Sequence, residues 1–179
     1  MTTTEQDPAL EEARREYYAL LGGFSSVQLA TVSTEGQPDA SYSPAVVDDA
    51  GNFFVYVSEL ASHTRNLRET PRASVMIIED EATCGQIFAR KRVTFACESE
   101  LIERRSDQWE DLIARFEEKF GKLMSHLKTM ADFSLYRLTP LKGRLVFGFG
   151  KAFEVGGPNM GEIGYIRGTG SGHTKEENA

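Results

Sequence analysis

The chain has 179 residues, of which 40% are hydrophobic and 10% aromatic, enough for one domain with its own buried core. Its 27 acidic and 20 basic residues leave a formal charge of -7, which argues against nucleic acid as a partner, because backbone binders present basic surface that releases counterions. No apolar run reaches the roughly 20 residues of a spanning helix, so no membrane insertion is expected.

The amino terminus, MTTTEQDPALEEARREYY, lacks the basic region, apolar segment and small-residue cleavage site of a secretory signal. Cys84 and Cys97 fall in no metal-ligand spacing, and a domain of this size needs no disulfide staple. The expectation is a cytoplasmic protein with two free thiols.

Residues 1–6 are expected to be disordered. The first predicted element is a helix that Asp7 caps, with Pro8 in its first turn, an apolar stripe of Leu10, Ala13, Tyr17, Leu20 and Leu21, and Gly22-Gly23 at its end. The period then changes to two: SVQLATVS (26–33), DASYSPAVVD (39–48) and FFVYVS (53–58), separated by TEGQ and DAGN, read as a three-stranded meander. A short helix over 62–69 stops before Thr70-Pro71. ASVMIIE (73–79) is almost wholly apolar and predicts a strand buried on both faces.

RVTFACESELI (92–102) resumes the alternation as a long strand. Ser106 caps a helix whose Trp109, Leu112, Ile113, Phe116 and Phe120 recur at helical spacing, with Gly121 placed to break or bend it. Two last strands are predicted at 133–138 and 144–155. Residues 156–179 read as a tail with one helical turn near 162–166. Mostly short turns between strands, with helices filling the gaps, predict a mainly β protein with helices (α+β) built on a small antiparallel barrel.

Five stretches carry possible chemistry. His126, in the polar run SHLKT, reads as a solvated residue. His63 begins the helix at 62–69, where a local hydrogen bond, a phosphate contact and plain exposure compete. His173 lies in GTGSGHTK, whose glycines let backbone fold closely around a ligand that the imidazole holds; the competing reading is a histidine in a floppy tail. In IFARKRVTF, alternation points Arg90 and Arg92 the same way, either as a guanidinium fork for carboxylates or phosphate or as edge charges against aggregation.

Asp132 opens a strand beside Met130, Phe133 and Leu135, so it either meets a partner or reaches water. The glycines of GRLVFGFGKAF mark a bulge or a close backbone approach rather than a nucleotide loop. No Ser-His-Asp order, zinc-protease motif or phosphate-loop lysine occurs, so an enzyme here borrows reactivity from a bound group.

The ordered set LATVSTEGQPDASYSPAVV, FFVYVSELASHTRNLRETPRASVMIIEDE, IFARKRVTF, DFSLYRLTP, GRLVFGFGKAF and a GH-containing tail resembles the haem-degrading proteins of the HutZ/HugZ type. These are haem-utilisation proteins on the split barrel of the pyridoxamine-phosphate-oxidase superfamily. The resemblance implies a homodimer with a six-stranded barrel per subunit, residues 1–155 forming the barrel domain and 156–179 the haem-ligand tail. It further implies haem at the subunit interface, with His173 as the iron ligand.

Asp132 then pairs with that histidine across the dimer, fixing its tautomer and basicity. Arg92, and with it Arg90, holds a propionate or the distal ligand. The implied activity is oxidative haem cleavage with O2 and an external electron donor. A haem carrier without turnover is the first alternative. An FMN-dependent oxidoreductase is the second, with Arg65, Arg68 and the backbone near His63 gripping the phosphate.

Overall fold

The computed structural model describes residues 7–166. Four helices, α1 (Pro8–Gly23), α2 (Ser62–Glu69), α3 (Asp107–Phe120) and α4 (Lys122–Leu127), accompany eight strands. The strands are β1 (Ser26–Val32), β2 (Pro38–Val47), β3 (Phe53–Ser58), β4 (Arg72–Ile78), β5 (Arg92–Ile102), β6 (Phe133–Val146), β7 (Ala152–Gly156) and β8 (Glu162–Tyr165). They form one antiparallel sheet in the order β3-β2-β1-β4-β5-β6-β7-β8, and an additional β3–β6 pairing closes the first six into a barrel. Closure removes the free edges that an open sheet would expose.

One long strand makes this closure possible. The first half of β6 pairs with β3, from Phe133↔Ser58 to Leu138↔Phe53. Its second half leaves the barrel and pairs with β7, from Gly143↔Val155 to Val146↔Ala152. Pro140 sits inside this strand, where the register with β5 shifts between Ala96 and Cys97. A bulge tolerates proline because the ladder is already interrupted there. The expected division into strands at 133–138 and 144–155 is therefore corrected to one continuous strand, a tight connection at 147–151, and a separate β7.

Two cores share the barrel wall. Inward-facing Val27, Leu29, Phe53, Val55, Val75, Phe95 and Leu145 fill the interior with Tyr17 of α1 and Leu67 of α2. Outside, Phe54, Tyr56 and Leu135 pack against Trp109, Ile113 and Phe116 of α3. β3 is thus the strand buried on both faces. In β4 only Val75 and Ile77 are buried, which corrects the expectation for 73–79: its other face lies on the outer wall, where the described residues place no helix.

The caps follow the predicted chemistry. Asp7 accepts from the Ala9 amide at 3.0 Å, and Ser106 from the Trp109 amide at 3.2 Å, each satisfying a helix donor that has no partner within the helix. Gly121, with φ 72°, breaks the helix: its left-handed backbone ends α3 and starts α4. Among the described residues no helix is long and apolar enough to cross a membrane.

The predicted helical turn near 162–166 is instead strand β8, paired with β7 from Phe153↔Tyr165 to Gly156↔Glu162. Gly156 and residues 162–165 therefore belong to the sheet, joined by a short turn that includes the 3-10 segment Pro158–Met160. The Tyr165 hydroxyl donates to the Asp7 carboxylate at 2.8 Å, tying the last strand to the first helix.

Candidate functional site

Beyond the barrel, the outer faces of β4 to β8 form an open groove of about 1070 Å³, at the upper end of small-molecule sites. Residues paired directly across an antiparallel sheet share a face. The row Thr94, Arg144, Glu154, Gly164 crosses the groove on four strands, and Ala96 with Lys142 begins the next row. Val93, Phe95 and Leu145, alternate residues of the same strands, point into the core. Alternation also puts Arg92 on the groove face, two residues from Thr94.

Arg90 and Arg92 do not form a fork. Arg90 Nε donates to the Glu79 carbonyl at 2.6 Å and its Nη1 to the Glu81 carboxylate at 2.7 Å, so it clamps the 79–91 connection. Arg92 Nη1 donates to the Arg90 carbonyl at 2.8 Å, leaving the rest of its guanidinium toward the outer face. Lys91 pairs with Glu16 of α1 at 2.6 Å. The basic cluster therefore divides into two structural contacts and one residue beside the groove.

Asp132 and His63 lie elsewhere. Asp132 immediately precedes β6, and its carbonyl accepts from the Glu59 amide at 2.8 Å. It is half-buried and near Tyr56, whose phenol is pushed up by burial, with the Asp132 charge adding to the shift and Arg104 opposing it. The Arg104 guanidinium is held by the carbonyls of Lys128 at 2.6 Å and Met130 at 2.9 Å. Among the described residues, the Asp132 carboxylate has no hydrogen-bond or ion-pair partner.

His63 stands in the first turn of α2, with Nδ1 2.9 Å from Ser41 Oγ. Since that hydroxyl donates to the Leu29 carbonyl at 3.1 Å, the arrangement assigns the proton to Nδ1 and leaves Nε2 as an acceptor. Burial pushes the imidazole pKa down, and the Asp39 charge partly offsets this. Of the residues expected to grip a flavin phosphate, Arg68 is ion-paired to Glu59 and Arg65 is exposed. His173 lies outside the described residues.

The groove's own residues went unread in the sequence. Lys142 and Arg144 flank Gly143, where the glycines and a strand at 144–155 were read but neither cation was, and alternation within LKGRLV was the signal that puts both on one face. Gly143 itself marks a close approach, as expected: a Cβ there would lie 2.8 Å from the Phe95 ring.

A closed barrel whose sixth strand continues into an outer ribbon is the split barrel. The family model described as pyridoxamine 5'-phosphate oxidase matches residues 13–147. The heme oxygenase HutZ of Vibrio cholerae is 40% identical over 172 residues, covering 96% of this chain and 92% of that protein. A solved structure of HutZ, described as the heme storage protein from Vibrio cholerae, superposes with a TM-score of 0.68 at 38% identity, covering 82% of this chain and 99% of the other. Campylobacter jejuni ChuZ superposes at 0.78 with 28% identity, over 90% of this chain and 64% of its own. The chain belongs to the pyridoxamine 5'-phosphate oxidase family and, within it, to the HutZ-type haem-utilisation proteins.

Proposed function

We propose that this protein binds haem in the outer groove and degrades it oxidatively, consuming O2 and electrons from an external donor and releasing iron and a biliverdin-like tetrapyrrole. The observation that carries the reading is the position of β8. It forms the groove's rim and ends at Tyr165, eight residues before His173, so the segment carrying the proposed ligand starts from the cavity's edge. The relationship to the heme oxygenase HutZ supplies the chemistry, and the reactive ring is the substrate's own.

The chain's residues would hold and orient that ring. His173 coordinates the iron, Arg92 orients from the groove's end, and Asp132 accepts the free N–H of the ligand imidazole, making it a stronger donor. Asp132 cannot readily come from the same subunit. It precedes the start of β6, whereas Tyr165 lies in the row of Leu145, twelve positions along that strand, about 40 Å of extended chain. Eight residues reach at most about 28 Å. This supports a homodimer in which each site takes its tail and Arg92 from one chain and Asp132 from the other.

Haem supplied with ascorbate and O2 tests the activity: loss of the Soret band with growth of a biliverdin-like absorbance is expected. The description of one relative as a heme storage protein favours carriage without turnover as the second reading, for which the spectrum would stay unchanged. A yellow protein with flavin absorbance and no haem affinity would favour an FMN-dependent oxidoreductase over both.

A further inference from the structure

The outer groove has polarity that the reading above leaves unused. Arg144 and Lys142 project from alternate positions of β6 onto the same face, about 7 Å apart. Among the described residues neither has a carboxylate within ion-pair distance, whereas Arg68, Arg90, Arg137, Lys91, Lys128 and Lys151 all do. Glu154 stands opposite Arg144 in the register without pairing with it. Glu162 is folded over Gly157 at the far rim.

Glycines line the cavity beside this cationic pair. Gly156 and Gly164 share the face of Glu154, yet a Cβ at either would meet nothing within 4 Å, and neither has a positive φ. Neither the backbone nor the packing requires glycine there, in contrast to Gly143, which the Phe95 ring forces. Glycines that a strand does not need leave room for something to lie against the backbone. Thr94 and Ala96 make a second low strip on β5, and the two cations stand on β6 between it and the glycines of β7 and β8.

We propose that Arg144, with Lys142 beside it, takes the propionate carboxylates of the haem, fixing which edge of the ring faces β6 while the tail binds the iron. This rests on the haem reading and deepens it by assigning the residues that select a dicarboxylate porphyrin. A planar guanidinium suits a carboxylate through two parallel N–H donors, and an ammonium serves as a second point charge. Glu154 acts against the anion, so it restrains the strength of the contact.

The test compares hemin with iron protoporphyrin dimethyl ester, which keeps the ring and metal but removes both charges. Soret titrations of the full-length chain would be run for the wild type, Arg144→Ala and Lys142→Ala, with sedimentation of each. The wild type should prefer hemin by about tenfold or more. Arg144→Ala should lose most of that preference and Lys142→Ala part of it, both keeping the ester affinity, the melting curve and the oligomeric state.

Equal weakening toward hemin and ester would overturn the assignment, since it would mean a structural role. So would a change in oligomeric state, since the two residues would then serve the contact between subunits rather than the ligand. An unchanged hemin preference in both variants, with a histidine-type Soret band that His173→Ala removes, would overturn the propionate contact while leaving the haem reading intact. Absence of any hemin band in the wild type would defeat both.

Discussion

Arg92 and Asp132 stand at opposite ends of one strand pair: Arg92 is opposite Val146, where β6 ends, and Asp132 adjoins Phe133, where β6 begins. In the homodimer proposed above, a site that uses both draws them from different subunits. Chains carrying Arg92→Ala and chains carrying Asp132→Asn should each be impaired in haem turnover. Refolded together in equal amounts, they should recover about a quarter of wild-type activity, because half the dimers are mixed and each mixed dimer rebuilds one of two sites. No recovery in proven mixed dimers would place both residues in a single-chain site.

Gly143 is held by the core. The Cβ of an alanine would fall 2.8 Å from the Phe95 ring and 3.1 Å from the Val155 side chain. Both neighbours are almost fully buried, so neither has room to move. Gly143→Ala should cost about 1–3 kcal/mol of stability by overpacking, read as a lower urea midpoint at unchanged slope. Gly164→Ala, facing open space, should cost nothing or stabilise slightly, and the pair of variants separates packing from propensity.

His63 gives a pH dependence with a definite sign. Its folded pKa lies below the ordinary value of 6.5 because burial disfavours the imidazolium. The folded state then binds fewer protons than the unfolded chain, so stability is intact above pH 6.5 and falls as the pH drops through the folded pKa. His63→Gln, which keeps a donor toward Ser41, should flatten the dependence of urea midpoints on pH below about 6.5 relative to the wild type. An identical slope in both proteins would show that His63 is not the titrating group.

The two thiols should differ. Cys97 is buried in the barrel, which pushes its pKa up to about 12, and a thiol held protonated is inert. Cys84, in the 79–91 connection, is half-exposed. Iodoacetamide at pH 8 should label one site per native chain, Cys84, and two once the chain is unfolded, as peptide mapping would show.

Much of the fold was legible because its signals are local. Asp7 and Ser106 cap the helices they were expected to cap, and the alternation of RVTFACESELI gives the observed bounds of β5. The gap expected between the strands at 133–138 and 144–155 contains Pro140, which a bulge against β5 absorbs. β8 was missed since EIGY has too little pattern of its own and exists through its pairing with β7. The outer face of β4 looked like core because Met76 and Ile78 are apolar, whereas both are only partly buried among the described residues. At the site, Arg92 was placed correctly at a strand's start, but Arg90's tie to Glu81 depends on how the 79–91 connection folds back, which spacing does not encode.

The most direct measurement is an absorption titration of the apo protein with hemin beside the His173→Ala variant. A Soret band characteristic of histidine-ligated ferric haem is expected in the intact chain, and its loss in the variant. The same spectrum from both proteins would contradict the account, because the iron would then be held by another residue.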